Sequence, residues 1–139
     1  MDDTDKRYRG GCLCGALRFE ASGDPLYAGN CYCADCRRAS GSGFMPFMGF
    51  ASTAIRFSGE TRQFRSKSAR GTDSVRNFCS VCGSLVFGGD PGTDESHTVY
   101  AGSLDNPSLF HPQIAIFTKG RPAWAVVPEG LVVFEGLPK

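Results

Sequence analysis

The sequence predicts a mainly β single domain, on three observations. Apolar residues recur mostly at spacing two or in short runs, the period of half-buried strands. Eighteen glycines and eight prolines cut those runs with turns. The 139 residues contain no linker, low-complexity tract or repeat, and that length suits one modest core.

Each element follows from local sequence. The opening "MDDTDKRYRG" runs acidic, then basic, then glycine; residues 1–8 are expected as a flexible tail, 9–136 as the domain and 137–139 as a second tail. It lacks the apolar stretch of a secretory leader, and a cytoplasmic protein is expected. No apolar run approaches the ~20 residues of a membrane span. Leu17 and Phe19 mark a strand, and "ADCRRAS" (Ala34 to Ser40) can hold a helical turn. Ile55 and Phe57 mark another strand, closed by the turn Ser58 to Glu60. "SLVF" (Ser84 to Phe87) runs into the turn Gly88 to Gly92, and "TVYA" (Thr98 to Ala101) follows. Asn106 as N-cap with Pro107 behind it suits a short helix through Phe110, and "IAIF" (Ile114 to Phe117) is a strand. In the tail, Pro128 and Gly130 break up Trp124, Val126, Val132 and Phe134, which points to edge strands. Trp124 is expected to fill the core rather than stack on a ligand.

Formal net charge is +1, but its distribution is uneven. Between Arg37 and Arg76 lie eight basic residues (Arg37, Arg38, Arg56, Arg62, Arg65, Lys67, Arg70, Arg76) against Glu60 and Asp73, a local excess of +6. Such a segment is either a site for an anionic partner or a solvated arginine-rich surface.

Seven cysteines fall into three groups: "CLC" (Cys12, Cys14), "CYCADC" (Cys31, Cys33, Cys36) and "CSVC" (Cys79, Cys82). In a reducing compartment, clustered thiols of odd number argue for metal rather than disulfides. A C-x-x-C pair followed by glycine is a metal knuckle, and C-x-C followed by glycine can supply the other half. Cys12, Cys14, Cys79 and Cys82 therefore make a four-thiolate set, closed to substrate and structural in kind. Cys31, Cys33 and Cys36 place three thiols about one point, and three protein ligands with an open fourth position is the arrangement of catalytic zinc. His97 and His111 stand in no ligand spacing and read as core or surface residues. A redox dithiol at Cys79 and Cys82 lacks any thioredoxin-like context. Seven thiolates with two Zn²⁺ leave three negative charges in excess, which makes Arg37 and Arg38 beside Cys36 useful compensation.

"GGCLCGALRFE" (Gly10 to Glu20), "CYCADCRRASGSGF" (Cys31 to Phe44) and "NFCSVCGSLVF" (Asn77 to Phe87), in that order, resemble the glutathione-dependent formaldehyde-activating enzyme family, which includes centromere protein V. "AGSLDNPSLFHP" (Ala101 to Pro112) and "WAVVPEG" (Trp124 to Gly130) extend the resemblance. It implies a β-tent of coiled antiparallel sheets with zinc-binding knuckles and one or two short helical turns. It also implies two zinc ions per chain, the structural one on Cys12, Cys14, Cys79 and Cys82 and the catalytic one on Cys31, Cys33 and Cys36. The implied reaction condenses formaldehyde with glutathione to S-(hydroxymethyl)glutathione, formally a carbon–sulfur lyase in reverse. Tyr32 stands where the family usually has histidine, and Ala115 occupies a position often held by histidine. Arg37 and Arg38 are the candidates to meet substrate carboxylates, and no catalytic residue beyond the zinc ligands is expected. The competing expectation is a zinc-stabilised binding module for protein or nucleic acid. Nucleic acid is the weaker partner, because aromatic and basic residues do not interleave.

Overall fold

The computed structural model describes residues 6–68 and 71–138. Two open sheets enclose the main core. The smaller is antiparallel, with β1 (Arg7–Gly11), β2 (Arg18–Ser22) and β5 (Ile55–Ser58) in the order β1-β2-β5. The larger holds β3 (Tyr27–Cys31), β4 (Met45–Ala51), β6 (Thr61–Lys67), β7 (Asp73–Cys79), β8 (Leu85–Gly88), β9 (Ser96–Tyr100), β10 (Ile114–Ile116) and β11 (Val132–Val133). Its order is β11-β10-β3-β4-β9-β8-β7-β6. The expected antiparallel pairing holds except at one edge, where β10 runs parallel to both β3 and β11.

Period-two alternation makes this architecture work. Tyr8, Phe19 and Ala21 of the smaller sheet and Met48, Phe50, Phe87 and Val99 of the larger point into one shared cluster. Phe57 stacks on Phe87 with centroids 3.7 Å apart, and His97 meets both rings edge-on. Gly10 is required where β1 crosses the turn after β9, since a Cβ there would lie 2.2 Å from the Ser103 carbonyl oxygen. The first strand starts at Arg7, before the boundary expected at Arg9, and its Tyr8 is buried.

The helix forms where the cysteine-rich stretch predicts it, as α1 (Ala34–Ser40), with Cys33 as N-cap and Gly41 in the left-handed conformation at its end. The turn after Asn106 also forms, as a 3₁₀ helix at Pro107–Leu109 whose Ser108 amide donates to Asn106 Oδ1 at 3.2 Å. Trp124 corrects the expectation of a core residue. It is 70% exposed, and Ala125 is the buried residue there. The Trp124 ring lies over Gly43 instead, where a Cβ would approach it to 2.8 Å. Of the tail, only Val132–Val133 forms a strand, and both valines are exposed.

Candidate metal centres

The first centre joins the two sheets. Cys12 and Cys14 sit in the turn between β1 and β2, while Cys79 ends β7 and Cys82 lies in the turn that leads to β8. One ligand atom from each of the four lies within 4.8 Å of all the others. Cys12 and Cys14 Sγ are 3.6 Å apart, and Cys14 and Cys79 Sγ 3.7 Å. A tetrahedron with metal–sulfur bonds of ~2.3 Å has edges of about 3.8 Å, which these two separations match.

Both turns aim backbone amides at sulfur. The Leu17 amide donates to Cys12 Sγ at 3.2 Å, and the amides of Val81 and Cys82 donate to Cys79 Sγ at 3.3 and 3.5 Å. Gly15 (φ 83°) and Gly83 (φ 77°) supply the left-handed residue that lets each chain turn back. Ser84 stitches the halves together, its Oγ accepting from the Leu13 amide at 3.2 Å and lying 3.2 Å from Cys82 Sγ. Such bonds favour thiolate. Burial pushes the Cys12 thiol up, but the Leu17 amide and the Cys79 and Cys14 thiols outweigh it and leave it below its ordinary value. The Ser84 hydroxyl and backbone hold Cys82 down at about 5. Cys14, although the Ala16 backbone lowers it, is pushed up to about 11 by desolvation and its neighbouring thiols.

The second centre lies where β3 ends and α1 begins. Cys31, Cys33 and Cys36 bring their Sγ atoms within 4.8 Å of one another, Cys31 buried and the other two half-buried. Cys31 and Cys33 Sγ are 3.4 Å apart, and the Cys36 amide caps Cys33 Sγ at 3.3 Å. The Cys31 and Cys36 thiols hold Cys33 down at about 2. Cys33 in turn pushes Cys31 up to about 11, and Cys31 and Cys33 together raise Cys36 well above the usual thiol range. Thiols this close oppose one another's ionisation, and a divalent cation would relieve that repulsion.

No fourth His, Cys, Asp or Glu joins the triad among the described residues. His97 is 3% exposed in the core, and its Nδ1–H donates to the Gly88 carbonyl at 3.1 Å. His111 is exposed. Arg37 is half-buried and Arg38 exposed in the last turn of α1. Tyr32 and Ala115, the two departures from the family pattern, meet in a separate buried cluster with Ala125. Tyr32 Oη donates to the Val126 carbonyl at 3.0 Å, and its ring packs on Phe44.

The family described as glutathione-dependent formaldehyde-activating enzyme matches residues 7–120. A protein of Halomonas elongata, named provisionally for that same activity, is 29% identical over 124 residues, covering 85% of this chain and 79% of its own. A crystal structure of a Rhodobacter sphaeroides protein shares the fold with a TM-score of 0.53, over 91% of this chain and 98% of that one, at 20% identity. With the ordered cysteine groups folded into two metal-sized clusters, the chain belongs to the glutathione-dependent formaldehyde-activating enzyme family.

Proposed function

We propose that this protein condenses formaldehyde, or a related small aldehyde, with glutathione or a similar thiol to give the S-hydroxymethyl product. The observation that carries the reading is the triad of Cys31, Cys33 and Cys36, three thiols of metal-binding geometry with no fourth protein ligand among the described residues. In the reaction the substrate sulfur forms a bond to the aldehyde carbon, the carbonyl π bond opens, and the thiol proton ends on the new hydroxyl oxygen. Zinc held by the triad supplies the positive charge that keeps a thiol ionised at neutral pH. The chain's own part is placement. Cys31 at the end of β3 and Cys33 at the cap of α1 fix the ligand set on two rigid elements, and Arg37 and Arg38 follow within the same helix. Those arginines offset the negative triad or meet a substrate carboxylate. Cys12, Cys14, Cys79 and Cys82 hold a second zinc whose role is structural.

The binding-module alternative draws on the basic segment, which is partly neutralised within the molecule. Arg65 pairs with Asp90 at 3.1 Å and Lys67 with Asp73 at 2.7 Å. Arg70 lies outside the described residues.

The test is exchange spectroscopy on a glutathione–formaldehyde mixture, with and without the protein, after subtraction of the uncatalysed rate. Faster exchange is expected from a preparation whose elemental analysis gives close to two zinc ions per chain, one for each cysteine cluster. An unchanged rate with both centres loaded overturns the enzyme reading.

A further inference from the structure

Arg76 is a half-buried cation of the larger sheet. It lies in β7, and no carboxylate reaches it among the described residues. Its Nη1 donates to Ser74 Oγ at 3.3 Å, on the same face of the same strand. Its Nε is shut off from solvent and has no hydrogen-bond partner among the described residues. Arg65 and Lys67 have acidic partners, and Arg56 and Arg62 are exposed to water. An Nε–H shut off from solvent without an acceptor is costly to maintain, and the half-buried side chain keeps part of its surface open to an acceptor from outside. The planar fork of a guanidinium is matched by a carboxylate.

Sheet register puts this group on the triad's face of the sheet, four strands away. Phe64 of β6 is opposite Arg76 on one side and Gly88 of β8 on the other. The row continues through Thr98 of β9 and Gly49 of β4 to Tyr27 of β3. Paired residues share a face, and alternation along β3 puts Cys31 on the face of Tyr27. Arg76 and Cys31 therefore look out from the same side of the sheet. Between them, Tyr100 extends its hydroxyl over Gly88, where a Cβ would come within 3.0 Å of that oxygen. The hydroxyl has no partner among the described residues. Burial keeps it protonated, pushing its pKa up to about 12 against the opposing pull of the Arg76 charge.

We propose that Arg76, with the Tyr100 hydroxyl beside it, binds a carboxylate of the thiol substrate and sets specificity for an anionic thiol. The inference rests on the thiol–aldehyde reading of the triad. A glutathione-like thiol carries a carboxylate toward each end of the peptide, away from its sulfur. An anion-binding group on the triad's face but remote from α1 suits one of them.

The experiment compares glutathione with the uncharged thiol 2-mercaptoethanol in wild type, Arg76→Gln, Arg76→Lys and Tyr100→Phe, all zinc-loaded and checked by circular dichroism. Arg76→Gln is expected to raise the KM for glutathione roughly tenfold or more, with a smaller change in kcat and no change for 2-mercaptoethanol. Arg76→Lys should recover part of the loss, and Tyr100→Phe should raise KM for glutathione alone. Calorimetric binding of S-methylglutathione, which cannot react, supplies a readout independent of turnover. Arg76-dependent binding without catalysis would refute the reaction and keep the carboxylate site. Catalysis with KM and binding unmoved by Arg76→Gln, or an equal loss for both thiols, overturns the site and leaves the reaction standing. If Arg76→Gln does not fold, Arg76→Lys and Tyr100→Phe decide by the same comparison.

Discussion

Tyr32 follows Cys31 in the chain yet belongs to a different part of the molecule. Its side chain is 0% exposed, as is that of Ala115, and the two lie in one cluster away from the thiols. The two departures from the family pattern are thus neighbours, a large aromatic packed beside a small residue. On this geometry Tyr32 packs in that cluster and hydrogen-bonds the Val126 carbonyl. Tyr32→Phe keeps the ring and leaves the Val126 carbonyl without its donor, which should lower stability by about 1 kcal/mol. A thermal melt should move down by a few degrees with the exchange rate unchanged; lost exchange at full stability would assign the hydroxyl to the chemistry instead. At this scale the cysteines were legible because spacing alone carries ligand chemistry. Arg76 was not, since in sequence it was one of several basic residues. Only the alternation of Val75, Asn77 and Cys79 toward the core reveals that Arg76 faces the triad's side. Trp124 misled for a related reason: composition favours burial of tryptophan, but the irregular tail turns Ala125 inward.

Among the elements, those with strong local signals formed where the sequence placed them. The helix α1 carries its own stop at Gly41, and the Asn-Pro pair at 106–107 caps a turn by itself. The strands that escaped notice lack a readable alternation. β4 reads "MPFMGFA" and is buried along most of its length, so both faces are apolar. β6 reads "TRQFRSK" and is largely exposed at one edge of the sheet, where charge guards against unwanted pairing. β7 hides its pattern by turning Asn77 inward, where Nδ2 donates to the Phe87 and Gly89 carbonyls at 3.2 and 2.7 Å. The knuckle turns depend on single glycines. Gly83 has φ 77° and open space around it, so Gly83→Ala meets backbone strain rather than a clash. The expected loss is about 1–2 kcal/mol, visible as faster release of one zinc to a chelator. Unchanged release would mean that the turn tolerates a side chain.

For the molecule as a whole, the two centres differ in how much chain they constrain. Cys14 and Cys79 are 65 residues apart, so a metal shared between them would tie the smaller sheet to the larger. Structural zinc contributes about 10–16 kcal/mol in small metal-folded domains, against a total stability of ~5–15 kcal/mol for a typical domain. Cys79→Ser should therefore yield an unfolded or insoluble chain. Cys33→Ser removes a ligand from a set closed within residues 31–36, and should leave a folded protein that binds one zinc fewer and has lost exchange activity. Circular dichroism, melting and zinc content of both variants check this; the reverse pattern would exchange the two roles. Fold class and ligand grouping were legible at this scale, but the parallel seating of β10 was not, because pairing between distant strands leaves no local trace. That seating has a consequence for how the protein is made. β4 lies between β3 and β9, and β3 between β4 and β10, so the middle of the larger sheet is assembled from the early and late parts of the chain. At ~5–20 residues per second of translation, β4 waits seconds for its second neighbour to leave the ribosome. Cys12 and Cys14 wait in the same way for Cys79 and Cys82, so the four-thiol cluster can assemble only once most of the polypeptide has been synthesised.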